Sequence, residues 1–143
     1  MTQQTQPIYY DLYLTGIGYL NRAREVPVQE GEPWLAVDLV ALQGQSDNVR
    51  KTRFDCKVVG KEAQAWVRRL MPRITVGQSV LVGFRLSDLA PETFVYSKGE
   101  RQGQIGICLK ARLLKIAWVK VDGKTLEQST SSTEQRRAEG ASA

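Results

Sequence analysis

The sequence predicts an all-β barrel that carries one helix, and three observations predict it. Five runs alternate apolar and polar residues with the period of two expected of half-buried strands. One stretch without glycine, residues 61–71, instead repeats its apolar positions at helical spacing. That stretch falls between the third and fourth alternating runs.

The first strand is expected over residues 9–19, YYDLYLTGIGY, with Leu12 and Leu14 on one face and Tyr13, Thr15 and Ile17 on the other. Gly16 and Gly18 mark a sharp bend of the kind a barrel strand makes. A basic connection, Asn21-Arg22-Ala23-Arg24, leads to a turn at Glu30-Gly31-Glu32-Pro33. The second strand, residues 34–42, sets Leu35, Val37, Leu39 and Ala41 against Trp34, Ala36, Asp38 and Val40. The polar residues 44–48 suit a hairpin loop, and the third strand runs over 52–60 with Phe54, Cys56 and Val58 inward and Arg53, Asp55, Lys57 and Val59 on the other face. In the helix Ala63, Trp66, Val67 and Leu70 share one face, and Pro72 is expected to end it. The fourth strand, VGQSVLVGFRL, turns Val80, Val82 and Phe84 inward and Leu81, Gly83 and Arg85 outward. Residues 87–103 are polar and turn-rich, an extended loop or hairpin. The last strand covers about 104–121 and alternates Ile105, Ile107, Leu109, Ala111 and Leu113 against Gly106, Cys108, Lys110 and Arg112.

Three strands, a helix and two strands is the element order of the five-stranded Greek-key OB barrel, whose closure removes sheet edges. A chain of 143 residues has room for one such domain. Residues 9–123 are assigned to it, with 1–8 a flexible N-terminus and 124–143, rich in Gln, Ser, Thr and Glu, a polar disordered tail.

Composition narrows the function. There is no histidine, which removes the commonest general base and metal ligand, and no phosphate-cradling glycine motif or metal-spaced cluster. A non-enzyme without cofactor or metal is expected. Cys56 and Cys108 are too few for a disulfide framework and are read as small buried apolar residues. No apolar run is long enough for a membrane span and the N-terminus lacks the pattern of a secretory signal, so a cytoplasmic protein is expected. The formal charge is +5. Between positions 49 and 73 eight basic residues face two acidic ones, an excess that favours a polyanionic partner.

Arg22, Arg24, Arg50, Lys51, Lys57, Arg85, Lys98 and Arg101 are the expected phosphate contacts, forming a groove that tracks a nucleic-acid backbone; a merely solvated charged face is the alternative. Bases need planes to stack on, and Trp34, Arg53, Phe94 and Tyr96 are the candidates. Trp34 is read equally as a residue that packs in a subunit interface. Trp118 gives no clear signal.

Several segments carry a resemblance: LYLTGIGYL followed by basic residues; GEPWLAVDLVA, similar to Gly-x-Pro-Val-Ala-x-Phe-x-Leu-Ala; RFDCKVVGKEAQ; and VGQSVLVGFRL, similar to Lys-Gly-Ser-x-Val-x-Val-x-Gly-x-Leu. Over residues 9–116 the chain resembles the bacterial single-stranded-DNA-binding protein family, in particular its divergent type on integrating conjugative elements. The best anchor is Gly60-Lys61-x-Ala63, similar to the motif that opens that family's helix. Aligned there, Phe54 falls on an inward aromatic or His position, Arg53 on a stacking Trp and Val59 on a stacking Phe or Trp. Phe94 or Tyr96 loosely matches the aromatic of the hairpin after strand four. The resemblance implies a sequence-nonspecific binder of single-stranded DNA, acting in replication or transfer of a mobile genetic element, and a homo-oligomer, tetramer or dimer. The chain closes on GASA, without the acidic tip ending in Phe through which that family recruits replication enzymes, so such recruitment is not expected. An OB-fold protein-interaction or primosome-type accessory module, with the nucleic-acid face repurposed, is the competing expectation.

Overall fold

In the computed structural model, which describes residues 7–126, β1 (Leu14–Val26), β2 (Trp34–Gln43) and β3 (Arg50–Val58) form an antiparallel meander. Helix α1 (Lys61–Thr75) follows, then the long strands β4 (Val80–Val95) and β5 (Ile105–Val121). The first half of β1 pairs with β4 and its second half with β2, so one strand serves two walls. Closure comes from a parallel pairing of β3 with β5, residues 54–58 against 109–113. This is the OB barrel expected from sequence. A two-residue strand β6 (Lys124–Thr125) adds to the end of β5, so the polar segment expected from 124 onward is ordered for its first residues; 127–143 and 1–6 lie outside the described residues.

Alternation sorts the interior as expected in β2 to β4. Leu35, Val37, Leu39, Phe54, Cys56, Val58, Val80, Val82 and Phe84 are all buried, and α1 adds Ala63, Trp66, Val67 and Leu70. Each large apolar side chain buried this way is worth about 1.5–3 kcal/mol. Pro72 does not end the helix. It sits in the last turn, where the lost N–H removes a single bond, and the helix runs three residues further to Thr75, with Gly77 just beyond it at a φ of +89°, in the left-handed region.

Strand β1 departs from expectation at both ends. Residues 9–13 are not strand, because the register with β4 ends at the Leu14–Leu86 pair, beyond which β4 bulges away. The basic segment 21–24 is not a connection but part of β1, carried through a bulge at which Arg22 takes φ +48°. Leu12, Leu14 and Ile17 are exposed on the outside rather than sorted between core and solvent.

Residues 87–103, expected as an extended loop or hairpin, belong to a hairpin, and its exposure out to residue 110 is the largest difference from expectation. β4 and β5 run past the barrel as a two-stranded arm, regular from Ala90–Lys110 to Val95–Ile105. Ile105 and Ile107, on the apolar side of the expected alternation, are 73% and 72% exposed, since the arm has left the core behind. Cys108 in this arm is only half-buried, whereas Cys56 is buried as expected. Among the described residues no helix is long and apolar enough to cross a membrane.

Candidate nucleic-acid interface

The outward face of β2 and β3 is set by their register: Ala36 opposite Lys57, Asp38 opposite Asp55, Val40 opposite Arg53. Two aspartates directly across a ladder repel each other, and the fold compensates them with three cations. Arg24 reaches both, its guanidinium 3.3 Å from Asp38 and 3.1 Å from Asp55. Arg22 adds a contact of 3.2 Å to Asp38, and Lys110, alongside from β5, lies 2.7 Å from Asp55. Asp38 is almost wholly buried, which a carboxylate tolerates only when paired in this way. Burial pushes the Asp55 carboxyl up, but the hydrogen bond and charge of Lys110, joined by Arg24, outweigh it and hold Asp55 below its ordinary value. The same hydrogen bond to Asp55 raises Lys110. Behind this row the buried Cys56 thiol is pushed up to about 12, by desolvation first and then by the charges of Asp55 and Asp38.

Beside the ion network lies a cleft of about 300 Å³ between the barrel and the root of the arm. Trp34 and Lys57 stand on its barrel side, with the Lys57 ammonium 5.2 Å from the centre of the indole ring. Ala90, Glu92 and Lys110 stand on its arm side. In a ribbon alternate residues share a face, so Phe94 and Tyr96 continue the face that Ala90 and Glu92 begin. Their rings meet edge to face, 4.8 Å between centres. Both cover Gly106, where a Cβ would come within 2.5 Å of Phe94 and 2.8 Å of Tyr96. Arg101 closes the group, its guanidinium 5.5 Å from the Tyr96 ring centre and donating a 3.2 Å hydrogen bond to the Tyr96 hydroxyl.

The expected site residues therefore fall into four places. Trp34, Arg53 and Lys57 share the outward β2–β3 surface, with Arg50 and Lys51 at the start of β3 beside Gln43 and Leu42. Phe94, Tyr96 and Arg101 form the arm cluster, and Lys98 lies in the turn at its tip. Arg22 and Arg24 are on the same barrel surface but tied to carboxylates. Arg85 is not with them; it sits on the wall made by β1, β4 and β5, its guanidinium 5.2 Å from the Tyr13 ring centre. Among the described residues no group of three or more His, Cys, Asp or Glu is placed to hold a metal ion.

Residues 3–135 match the model of a family described as a protein of unknown function, DUF3577. The chain belongs to this family. No curated protein matches it. Among solved structures it is similar to a small single-stranded DNA-binding protein from Streptomyces coelicolor, at 12% identity and a TM-score of 0.42, covering 80% of this chain and 96% of that one. The barrel assignment rests on the strand pairing itself.

Two features of this DUF3577 member escaped the sequence. The ion network was signalled only by Asp38, a lone charge inside the apolar run WLAVDLVAL, since its partners are 14 and 16 positions away in sequence and, for Asp55, as far as 55. A hairpin is among the expectations for 87–103; what escaped is that Ile105 and Ile107, which alternate as core residues do, stand on it uncovered.

Proposed function

We propose that this OB barrel binds single-stranded DNA without sequence preference and without catalysis, along the β2–β3 surface and the arm. One observation carries this: two aromatic groups, Trp34 with Lys57 and the Phe94–Tyr96 pair with Arg101, lie on surfaces that adjoin through one cleft. That spacing of π faces and cations is what a backbone with splayed bases requires. Arg50, Lys51, Arg53 and Lys57 make no ion pair among the described residues and supply the phosphate contacts, with Lys98 and Arg101 at the arm. Arg53, standing where the resemblance places a stacking Trp, offers a guanidinium plane instead. Arg22 and Arg24 act chiefly by holding Asp38 and Asp55, and contribute less to phosphate binding than their exposure in sequence suggests. The setting proposed is replication or transfer of a mobile element, in a homo-oligomer.

Intrinsic tryptophan fluorescence during titration with oligo-dT, and separately with a duplex of equal length, tests this at low and high salt. Saturable quenching by oligo-dT that is weaker with duplex and only partly reversed by salt is expected. Equal binding of both, released in moderate salt, would replace the proposal with a protein-interaction module.

A further inference from the structure

On the wall formed by β1, β4 and β5, Gly83 of β4 lies opposite Trp118 of β5. A Cβ at Gly83 would stand 2.4 Å from the indole Nε1, 2.8 Å from Cε2 and 3.0 Å from Cδ1. Three bonded ring atoms at such similar distances mean that the indole lies face-on across bare backbone, its second face turned outward. Trp118 is half-buried and borders a cleft of about 220 Å³ that also touches Thr15, Gly16, Arg85 and Lys115. That volume is below the roughly 300–1,000 Å³ of pockets for drug-sized ligands, and suits a single flat ring system.

The charges around this plate are of one sign. Arg85 and Lys115 stand directly opposite each other across the ladder, an arrangement that costs free energy unless an anion sits between. Lys120, opposite Leu81, places its ammonium 5.8 Å from the Trp118 ring centre. None of the three makes an ion pair among the described residues, and no carboxylate borders the cleft, whereas the other cleft has Asp55, Asp88 and Glu92 in its lining. Tyr13 adds a second ring beside Arg85.

We propose that this wall is a second track for single-stranded nucleic acid, with Trp118 stacking a base and Arg85, Lys115 and Lys120 neutralising the flanking phosphates. The ligand follows from the chemistry: a flat π plate ringed by cations that lack partners matches alternating rings and negative charges. A second copy of the chain would have to bring carboxylates to the same place. The proposal extends the single-strand reading to another wall and rests on this wall's geometry alone. A long strand would then engage both sides of one barrel.

The test uses the full chain and an oligo-dT of about 40 nucleotides, longer than the roughly 4–16 that one OB fold covers. Affinity is read by anisotropy for Trp118→Leu, for the double variant Arg85→Ser with Lys115→Ser, and for Trp34→Leu. Because Arg85 and Lys115 are exposed and repel each other, the double variant is expected to melt no lower than the parent, which keeps the test open if Trp118→Leu folds poorly. Both wall variants are expected to weaken binding about tenfold, and the double variant to flatten the salt slope by about 1.4, from two phosphates at roughly 0.7 each. Loss with Trp34→Leu but not with the double variant overturns the second track and leaves the proposed face standing. Loss with the double variant but not with Trp34→Leu keeps the track and removes the proposed face. If the double variant instead changes the sedimentation mass at unchanged affinity, the wall joins copies of the chain and the proposal falls.

Discussion

The two walls of the barrel treat positive charge differently: the β2–β3 surface ties part of its cations to carboxylates and leaves Arg50, Lys51, Arg53 and Lys57 without an ion pair among the described residues, whereas the β1–β4–β5 wall pairs none of Arg85, Lys115 and Lys120. On the β2–β3 surface Arg22, Arg24 and Lys110 are bound to Asp38 and Asp55, so three cations serve the fold. On the β1–β4–β5 wall Arg85, Lys115 and Lys120 face solvent and one another without carboxylates. A basic residue near an expected binding face is thus no measure of what a ligand meets there; pairing decides it. The first wall is stabilised by its charges. The second is held by apolar packing beneath and has charge to spare.

The sharpest way to break this contrast is to remove the buried carboxylate of the first wall. Asp38→Asn leaves Arg24 with one partner and Arg22 with none, and a broken, largely buried pair costs several kcal/mol when fully enclosed. Because Arg24 keeps about a third of its side chain in solvent, a loss of about 2–3 kcal/mol is expected. Urea denaturation reads it as a lower midpoint at unchanged slope. A neutral result would mean that the network is not structural, and would return Arg22 and Arg24 to the pool of phosphate contacts.

Binding should respond where stability does not. Gly106→Val drives a side chain into the space of Phe94 and Tyr96, toward the tip of an arm whose packing against the core, by Leu89 and Leu109, is at its root. Stacking is worth about 1–3 kcal/mol per base, so roughly tenfold weaker oligo-dT binding is expected, with the barrel's thermal midpoint little changed. Unaltered affinity would remove the arm from the interface and leave Trp34, Arg53 and Lys57 to carry it.

What was legible in the sequence divides along the same line. Where β2, β3 and β4 cover the core, alternation reported it: Phe54, Cys56 and Val58 inward, and Arg53, Asp55 and Lys57 turned from the core, follow from period two alone. Where the chain leaves the core the signal fails, since Ile105 and Ile107 alternate just as core residues do yet have nothing above them. The basic stretch 21–24 looked like a loop because a bulge at Arg22 hides strand pairing behind a polar surface. Trp118 was silent because its setting is defined by Gly83, 35 positions earlier and adjacent only across the ladder. Which cations are free is likewise a property of contacts distant in sequence.

The pH dependence sharpens the first wall further. The pKa of Asp55 is lowered in the folded chain from 3.8, so its charged form stabilises the fold above that value, and the contribution is lost as pH falls through the depressed folded value. Thermal midpoints of the parent and Asp55→Asn should differ at neutral pH and converge under acid. With Lys110 41% exposed on the other side of the pair, solvent screening holds the difference to about 1 kcal/mol or less. A gap that persists below the folded pKa would show that Asp55 acts by packing and not by charge.

The smallest effect is expected at an ion pair that stands outside the Asp38–Asp55 network. Arg68 of α1 and Glu25 of β1 approach to 2.6 Å, yet both side chains are about half exposed. Water competes for each charge, and holding two long side chains in one geometry offsets most of the attraction, leaving about 0.5 kcal/mol or less. Glu25→Gln should therefore melt within error of the parent and bind oligo-dT equally well, whereas Asp38→Asn, one strand away, should not. The short distance at Glu25 and the longer ones at Asp38 run against that ranking, and the experiment separates them: if Glu25→Gln proves the more costly, distance outranks burial in this barrel, and the division of its cations into structural and available ones fails with it.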